Sequence, residues 1–199
     1  MKNIITINRQ FGSGGREIGK RLADELGWSY YDKELIAKIA EETGLCEDFI
    51  DKHDEKAMST IYPFSFGKTF TAVYPVPENM IYITQTNIIK ELAKKGNCVI
   101  IGRCASHILE DEAFKILIYS SNMDKRIDRC YDKVPEDKDK SRKEMESKIR
   151  YIDKQRNKYH EFYCGEKRLD VNNYNLCIDT AELPIKDAVK LIASLYKTD

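Results

Sequence analysis

Residues 4–27 read IITINRQFGSGGREIGKRLADELG. A β-branched run, IITI, comes first, and small residues follow at 12–15. Apolar residues at 18, 22, 23 and 26 then trace one face of a helix, which Gly27 closes. A strand, a small-residue turn and a helix in that order make an anion cradle. The turn lets backbone N–H groups converge, and the helix N-terminus adds positive partial charge. The stretch departs from the pattern G-x-x-x-x-G-K-[ST]. With Gly14 as the last loop glycine, Gly15 replaces the lysine, Arg16 the Ser or Thr, and Arg9 the first glycine. Arg9, Arg16 and Lys20 nevertheless surround the turn with cations. The stretch reads as a site for a phosphate-bearing ligand, with a purely structural strand–helix turn as the alternative.

Outward from this stretch, WSYYD reads as a second short strand ending at Asp32. Residues 33–43 follow as an amphipathic helix and 80–95 as another, closed by Gly96. NCVIIGR (97–103) and AFKILIYS (113–120) are near-continuous apolar strands. A helix starts at 123, a short strand spans 176–179 and a closing helix spans 184–196. Such strands alternating with helices predict an α/β fold with a parallel sheet covered on both faces. The expected strands lie near 3–8, 28–32, 98–103, 115–120 and 176–179. Two segments stand apart. Residues 57–79 hold five aromatics between Tyr62 and Tyr74 and three prolines, which predicts an irregular excursion. It covers the core, forms a homodimer contact through 60–79, or offers a base-stacking surface. Residues 133–163 are highly charged and read as a solvated helical hairpin.

The chain has 199 residues, 42% hydrophobic and 33% charged, with zero formal net charge. That is one globular domain with a real core. Zero net charge excludes a global basic field, so neither nucleic acid nor a membrane is an expected partner, and any anion site is a local cluster. No segment nears the ~20 apolar residues of a membrane span, and the apolar run near the N-terminus is too short for a signal peptide. A cytoplasmic location is expected. The six cysteines, at 46, 98, 104, 130, 164 and 177, form no C-x-x-C pair. They read as scattered buried thiols, with a redox or zinc site as the minority reading. His53, His107 and His160 read as structural or surface residues.

Three stretches carry a resemblance to a known family. They are ITINRQFGSGGREIGKRLADELGWSYYDKELI from residue 5, VIIGR through KILIYSS between 99 and 121, and the pair Asp153–Arg156 (D-x-x-R) with CIDTAEL at 177–183. Together they resemble the cytidylate kinase-like family, relatives of the P-loop nucleoside monophosphate kinases. Coverage is nearly end to end, broken mainly at 50–80. The resemblance implies a single P-loop NTPase-like domain over 1–199, with a parallel five-stranded sheet flanked by helices. It also implies an acceptor-side helical insertion at 33–95 and a lid-like helical region at 123–160, partly mobile as lids are.

The resemblance implies ATP and Mg²⁺ as cofactors and transfer of the ATP γ-phosphate to CMP or dCMP, with UMP next. Gly12, Ser13, Gly14, Gly15 and Arg16, with Lys20 behind them, would lie on the donor phosphates. Asp32 would face the acceptor or organise its water and metal. Arg103 would bind the acceptor phosphate. Arg126 and Arg129 would clamp the transferring group, and Asp153 and Arg156 would contact the acceptor base and phosphate. The chemistry agrees, because phosphoryl transfer needs positioning and positive charge more than covalent help. Asp153 and Arg156, three apart on a helix, share one face, and a simple surface salt bridge is the alternative for them. Arg16 can fork onto a phosphate but has no lone pair for magnesium. Mg²⁺ would then rest on Ser13, Asp32 or waters. A catalytically silent nucleotide-binding regulator and a kinase for a small non-nucleotide metabolite remain as alternatives.

Overall fold

The computed structural model describes residues 2–32, 78–133 and 137–196. The helix expected at 33–43 and the aromatic excursion at 57–79, with its homodimer contact, lie outside them. Five strands form one sheet: β1 (Ile4–Arg9), β2 (Ser29–Tyr31), β3 (Cys98–Ile101), β4 (Phe114–Tyr119) and β5 (Leu176–Asp179). Their order is β2-β3-β1-β4-β5, and every pairing is parallel. The described helices are α1 (Gly15–Leu26), α2 (Glu78–Lys94), α3 (Ala105–Ile108), α4 (Met123–Lys133), α5 (Arg142–Cys164) and α6 (Ile185–Ser194). The parallel α/β sheet is the one the strand pattern predicts, and each strand falls within two residues of its expected place.

Period-two alternation sends neighbouring residues of each strand to opposite faces. Ile5, Ile7, Val99, Ile101, Ile116 and Ile118 meet Ile18 and Leu22 of α1 and Ala188 and Ile192 of α6. Ile4, Cys98 and Ile100 meet Ile88, Ile89 and Leu92 of α2. Burial on both faces explains why these strands read as unbroken apolar runs. Each buried isoleucine contributes roughly 1.5–3 kcal/mol. Gly19 lets α1 lie close on the sheet, since a Cβ there would collide with Ile101.

Two segments are more integrated than the sequence reading expects. The final part of the 33–95 span is α2, which covers one face of the sheet. The charged 133–163 stretch is not merely solvated. Ser141 and Glu144 form a reciprocal capping box that starts α5. Met145 and Ile149, one turn apart, then pack fully buried against Ile127 and Cys130 of α4, with Phe11 beside them. The surrounding charges in the first half of α5 conceal this narrow apolar stripe.

Candidate functional site

The strand order places β1 between β3 and β4, where the winding of the sheet reverses. Ligands of open α/β sheets bind in the crevice at such a point, outside the carboxyl ends of the strands. β1 ends there at Arg9, followed by the glycine loop. Gly12 and Gly14 have φ of 76° and 83°, left-handed values that favour glycine. Gly14 caps α1 and offers no side chain to the first-turn N–H groups. The loop is boxed in from behind. Ser13 Oγ lies 2.9 Å from the Gln10 carbonyl and 3.1 Å from that of Ile118. Thr180 Oγ1 lies 2.8 Å from the Ser13 carbonyl. A Cβ on Gly12 would stand 2.9 Å from the Arg126 carbonyl, and one on Gly14 would stand 2.5 Å from Ile185 Cδ1.

The cations around the loop have distinct placements. Arg129 lies over it, its guanidinium 3.0 Å from where a Cβ on Gly14 would sit. It pairs with Glu17, which also takes Arg21 and, more distantly, Lys133. Partial burial raises the Glu17 carboxyl, but Arg129, Lys133 and Arg21 together hold it below its ordinary value. Arg16 turns to Asp32, with Nε 2.7 Å from Oδ2. Lys20 turns outward to Asp24, 2.7 Å away, over the Tyr30 ring. Burial, and then the Asp32 charge, push the Tyr30 phenol up to about 12.

Beside the loop, a small cleft of about 40 Å³ is lined by Asn8, Arg9, Gly102, Arg103, Arg156 and Arg168, with Cys104, Tyr159 and His160 at one end. Four arginines line it, and among the described residues no carboxylate does. Arg9 joins loop and cleft: its Cβ packs where a Gly15 Cβ would be, and its guanidinium lies on Gly102. Arg103 has a positive φ, 56°, in the turn after β3. Arg156 lies over the Phe11 ring, 5.5 Å from its centroid.

Asp153 sits underneath as a hub. Its Oδ1 accepts from the Phe11 N–H at 2.9 Å and from Arg168 at 3.3 Å, and its Oδ2 pairs with Arg126. Arg126 also donates to the Phe11 carbonyl at 2.8 Å. Arg126 and Arg168 are 5% and 3% exposed, so their charges are committed to this network. Arg168 is the member sequence reasoning missed. It lies beyond Gly165, the end of α5, and shares no helical spacing with Asp153. A buried arginine in a loop leaves no periodic signal.

The loop fits the polyphosphate of ATP: a positive-φ glycine cradle backs onto a helix start whose cap is itself a glycine. The Mg²⁺ ligands expected of Ser13 and Asp32 fit poorly. Ser13 is 1% exposed with its hydroxyl aimed at two carbonyls, and Asp32 is engaged by Arg16.

The histidine and cysteine reading is also corrected in part. Cys104, His160 and Cys164 are not scattered: their ligand atoms all lie within 4.8 Å of one another. His160 and Cys164 are four apart on the last turn of α5, a ligand spacing visible in the sequence. The hydrogen bond from the Cys104 thiol draws Cys164 down to about 5, against its burial. That same bond and burial push Cys104 up.

The parallel sheet with a glycine loop between β1 and α1 defines a P-loop NTPase-like fold. Within that class, the chain belongs to the cytidylate kinase-like family, whose model matches residues 4–182. It is similar to a cytidylate kinase of Streptococcus mutans, 27% identical over 156 residues that span 64% of this chain and 68% of that protein. Among solved structures it resembles an uncharacterized protein from Eubacterium ventriosum, with a TM-score of 0.69 and 28% identity over 98% of this chain and 99% of the other. A shikimate kinase from Bacteroides thetaiotaomicron, with a TM-score of 0.58 and 15% identity over 98% of each chain, shares the fold. No helix among the described residues is long and apolar enough to cross a membrane.

Proposed function

We propose that the protein transfers the γ-phosphoryl group of ATP to a pyrimidine nucleoside monophosphate, CMP or dCMP first and UMP next. One observation carries this reading: a main-chain anion cradle and an arginine-lined cleft meet at the carboxyl ends of β1 and β3, joined by Arg9. A phosphate oxygen of the acceptor would attack the γ-phosphorus while the bond to the ADP oxygen breaks, so the site must hold two polyanions in line. The N–H groups of residues 12–16 would hold the donor phosphates. Arg129 would move from Glu17 onto the transferring group. Arg103 and Arg156 would hold the acceptor phosphate. Arg126 and Asp153, tied to each other and to Phe11, would fix the positions of loop and acceptor side. Arg16 reaches the phosphates only by leaving Asp32. Magnesium neutralises phosphate charge in such reactions.

The silent-binder reading is favoured by one observation, the Arg16–Asp32 pair beside a loop whose usual lysine is Gly15. A coupled ADP-release assay against a panel of nucleoside monophosphates and small hydroxylated metabolites separates the readings. Turnover is expected with CMP and dCMP, and Arg103→Ala should raise the acceptor KM while leaving that of ATP. Tight ATP binding without turnover on any acceptor would support the silent binder. Turnover confined to a non-nucleotide acceptor would refute the nucleotide assignment.

A further inference from the structure

We propose that Cys104, His160 and Cys164 form a binding site for a soft divalent cation of the zinc class, lying against the end of the arginine cleft. Three observations on geometry carry it. First, Nδ1 of His160 lies 3.8 Å from Cys104 Sγ and 3.6 Å from Cys164 Sγ. A tetrahedral zinc, about 2.3 Å from sulfur and about 2.05 Å from nitrogen, requires S···N edges of about 3.6 Å. The ring nitrogen therefore already stands near ligand distance from both thiols. Second, the two sulfurs lie within 4.8 Å of each other, against about 3.8 Å for a tetrahedral S···S edge. Third, the ligands come from two rigid places. His160 and Cys164 share a face of α5's last turn, and Cys104 sits in the positive-φ turn that follows Arg103.

The surroundings suit such an ion. Cys104 and His160 are each 4% exposed. Tyr82 stacks on Tyr163 at 4.1 Å, and Tyr159 packs on the same ring. This aromatic wall limits water and keeps hard cations without a driving force, while two thiolates and an imidazole select a softer one. Three protein ligands leave a fourth position for water. The ion would staple the turn after β3 to the end of α5, and so would fix Arg103 next to Arg156. The ion would border the proposed acceptor cleft, but the inference does not rest on the proposed phosphoryl transfer.

Tag-free full-length protein, purified under reducing conditions without chelator, provides the test. Elemental analysis should find roughly one zinc per chain. Exchange with Co²⁺ should give thiolate-to-metal charge-transfer and tetrahedral d–d bands. Cys164→Ser and Cys104→Ser should weaken Co²⁺ binding by more than the roughly 10–100-fold that losing an outer partner costs. Cys177→Ser, a thiol in β5 away from the cluster, should keep it. Should the cluster variants fail to fold, thiol titration of the wild type decides: chelation should expose two thiols that bound metal protects. Absence of zinc even after incubation with it, spectra unchanged in Cys164→Ser, or a Cys104–Cys164 disulfide in the intact mass of the isolated protein would each overturn the proposal.

Discussion

The glycine loop turns main-chain N–H groups toward a ligand, whereas the cleft beside it turns side chains toward one. In the loop, carbonyl and hydroxyl contacts from Ile118, Thr180 and Gln10 fix the backbone. The anion-facing groups there are N–H groups that cannot rotate away. In the cleft, Arg126 and Arg168 are locked onto Asp153, and Arg9, Arg103 and Arg156 line the opening. A backbone cradle tolerates changed side chains, which is how Gly15 and Arg16 can stand at unusual positions. A side-chain cradle tolerates less, because Arg126 and Arg168 depend on one carboxylate and Arg156 lies on one ring.

The largest effect falls on the side-chain region. Asp153→Ala leaves two buried guanidinium groups without their shared carboxylate. Breaking a buried pair this way costs roughly 3–5 kcal/mol. Urea unfolding should show that loss as a lower midpoint with unchanged slope. A loss below about 1 kcal/mol, the range of exposed pairs, would mean that the hub does not hold the cleft.

Gly14→Ala attacks the backbone cradle directly. The residue has φ of 83°, and the added Cβ would stand 2.5 Å from Ile185 Cδ1. Strain of about 1–3 kcal/mol is expected. ATP affinity by calorimetry should fall about tenfold or more, since one distorted N–H loses a charge-assisted bond of about 1.5–3 kcal/mol. Unchanged affinity would place the anion elsewhere than the loop.

Glu17→Gln probes the junction, because Glu17 competes with any anion for Arg129. Affinity for inorganic phosphate should rise a few-fold. The acid side of the stability profile should change as well. A carboxyl whose folded pKa is lowered contributes stability that is fully present above its unfolded value, here 4.5, and lost as pH falls through the folded value. The advantage of wild type over Glu17→Gln in thermal unfolding should therefore shrink as pH is lowered from about 6 to about 3. A constant difference across that range would break the assignment.

Arg16→Ala should matter least. The Arg16 side chain is 56% exposed and paired with Asp32, and exposed pairs contribute about 0–1 kcal/mol. A change in ATP affinity within about threefold is expected, less than the ~1.4 kcal/mol that a tenfold change represents. A much larger loss would show that Arg16 swings onto the phosphate when nucleotide binds.

The backbone region was legible in the sequence because periodicity and glycine position encode it locally. IITI followed by GSGG and a stripe at 18, 22, 23 and 26 can fold in few ways. The site's side-chain half was less legible. Asp153 showed its helical relation to Arg156, yet its hydrogen-bond partners are Phe11, Arg126 and Arg168, far away in the chain. Nothing in local spacing names them. The stripe of Met145 and Ile149 was hidden by the charged residues that surround it in the first half of α5. The pairing of Cys104 with His160 and Cys164 depends on where β3 ends relative to α5, which only the fold decides.

The strand order has a consequence for how the chain is made. β1 is synthesised first but lies at the centre, and its neighbours begin at Cys98 and Phe114. At translation rates of roughly 5–20 residues per second, Ile4–Ile7 waits about 5–20 s before Cys98 even exists. During that interval the apolar run Ile4–Ile7 is a bare edge on a growing chain, open to other nascent chains. Slowing translation between residues 30 and 98, which lengthens the time β1 waits unpaired with β3, should lower soluble yield without altering the finished protein.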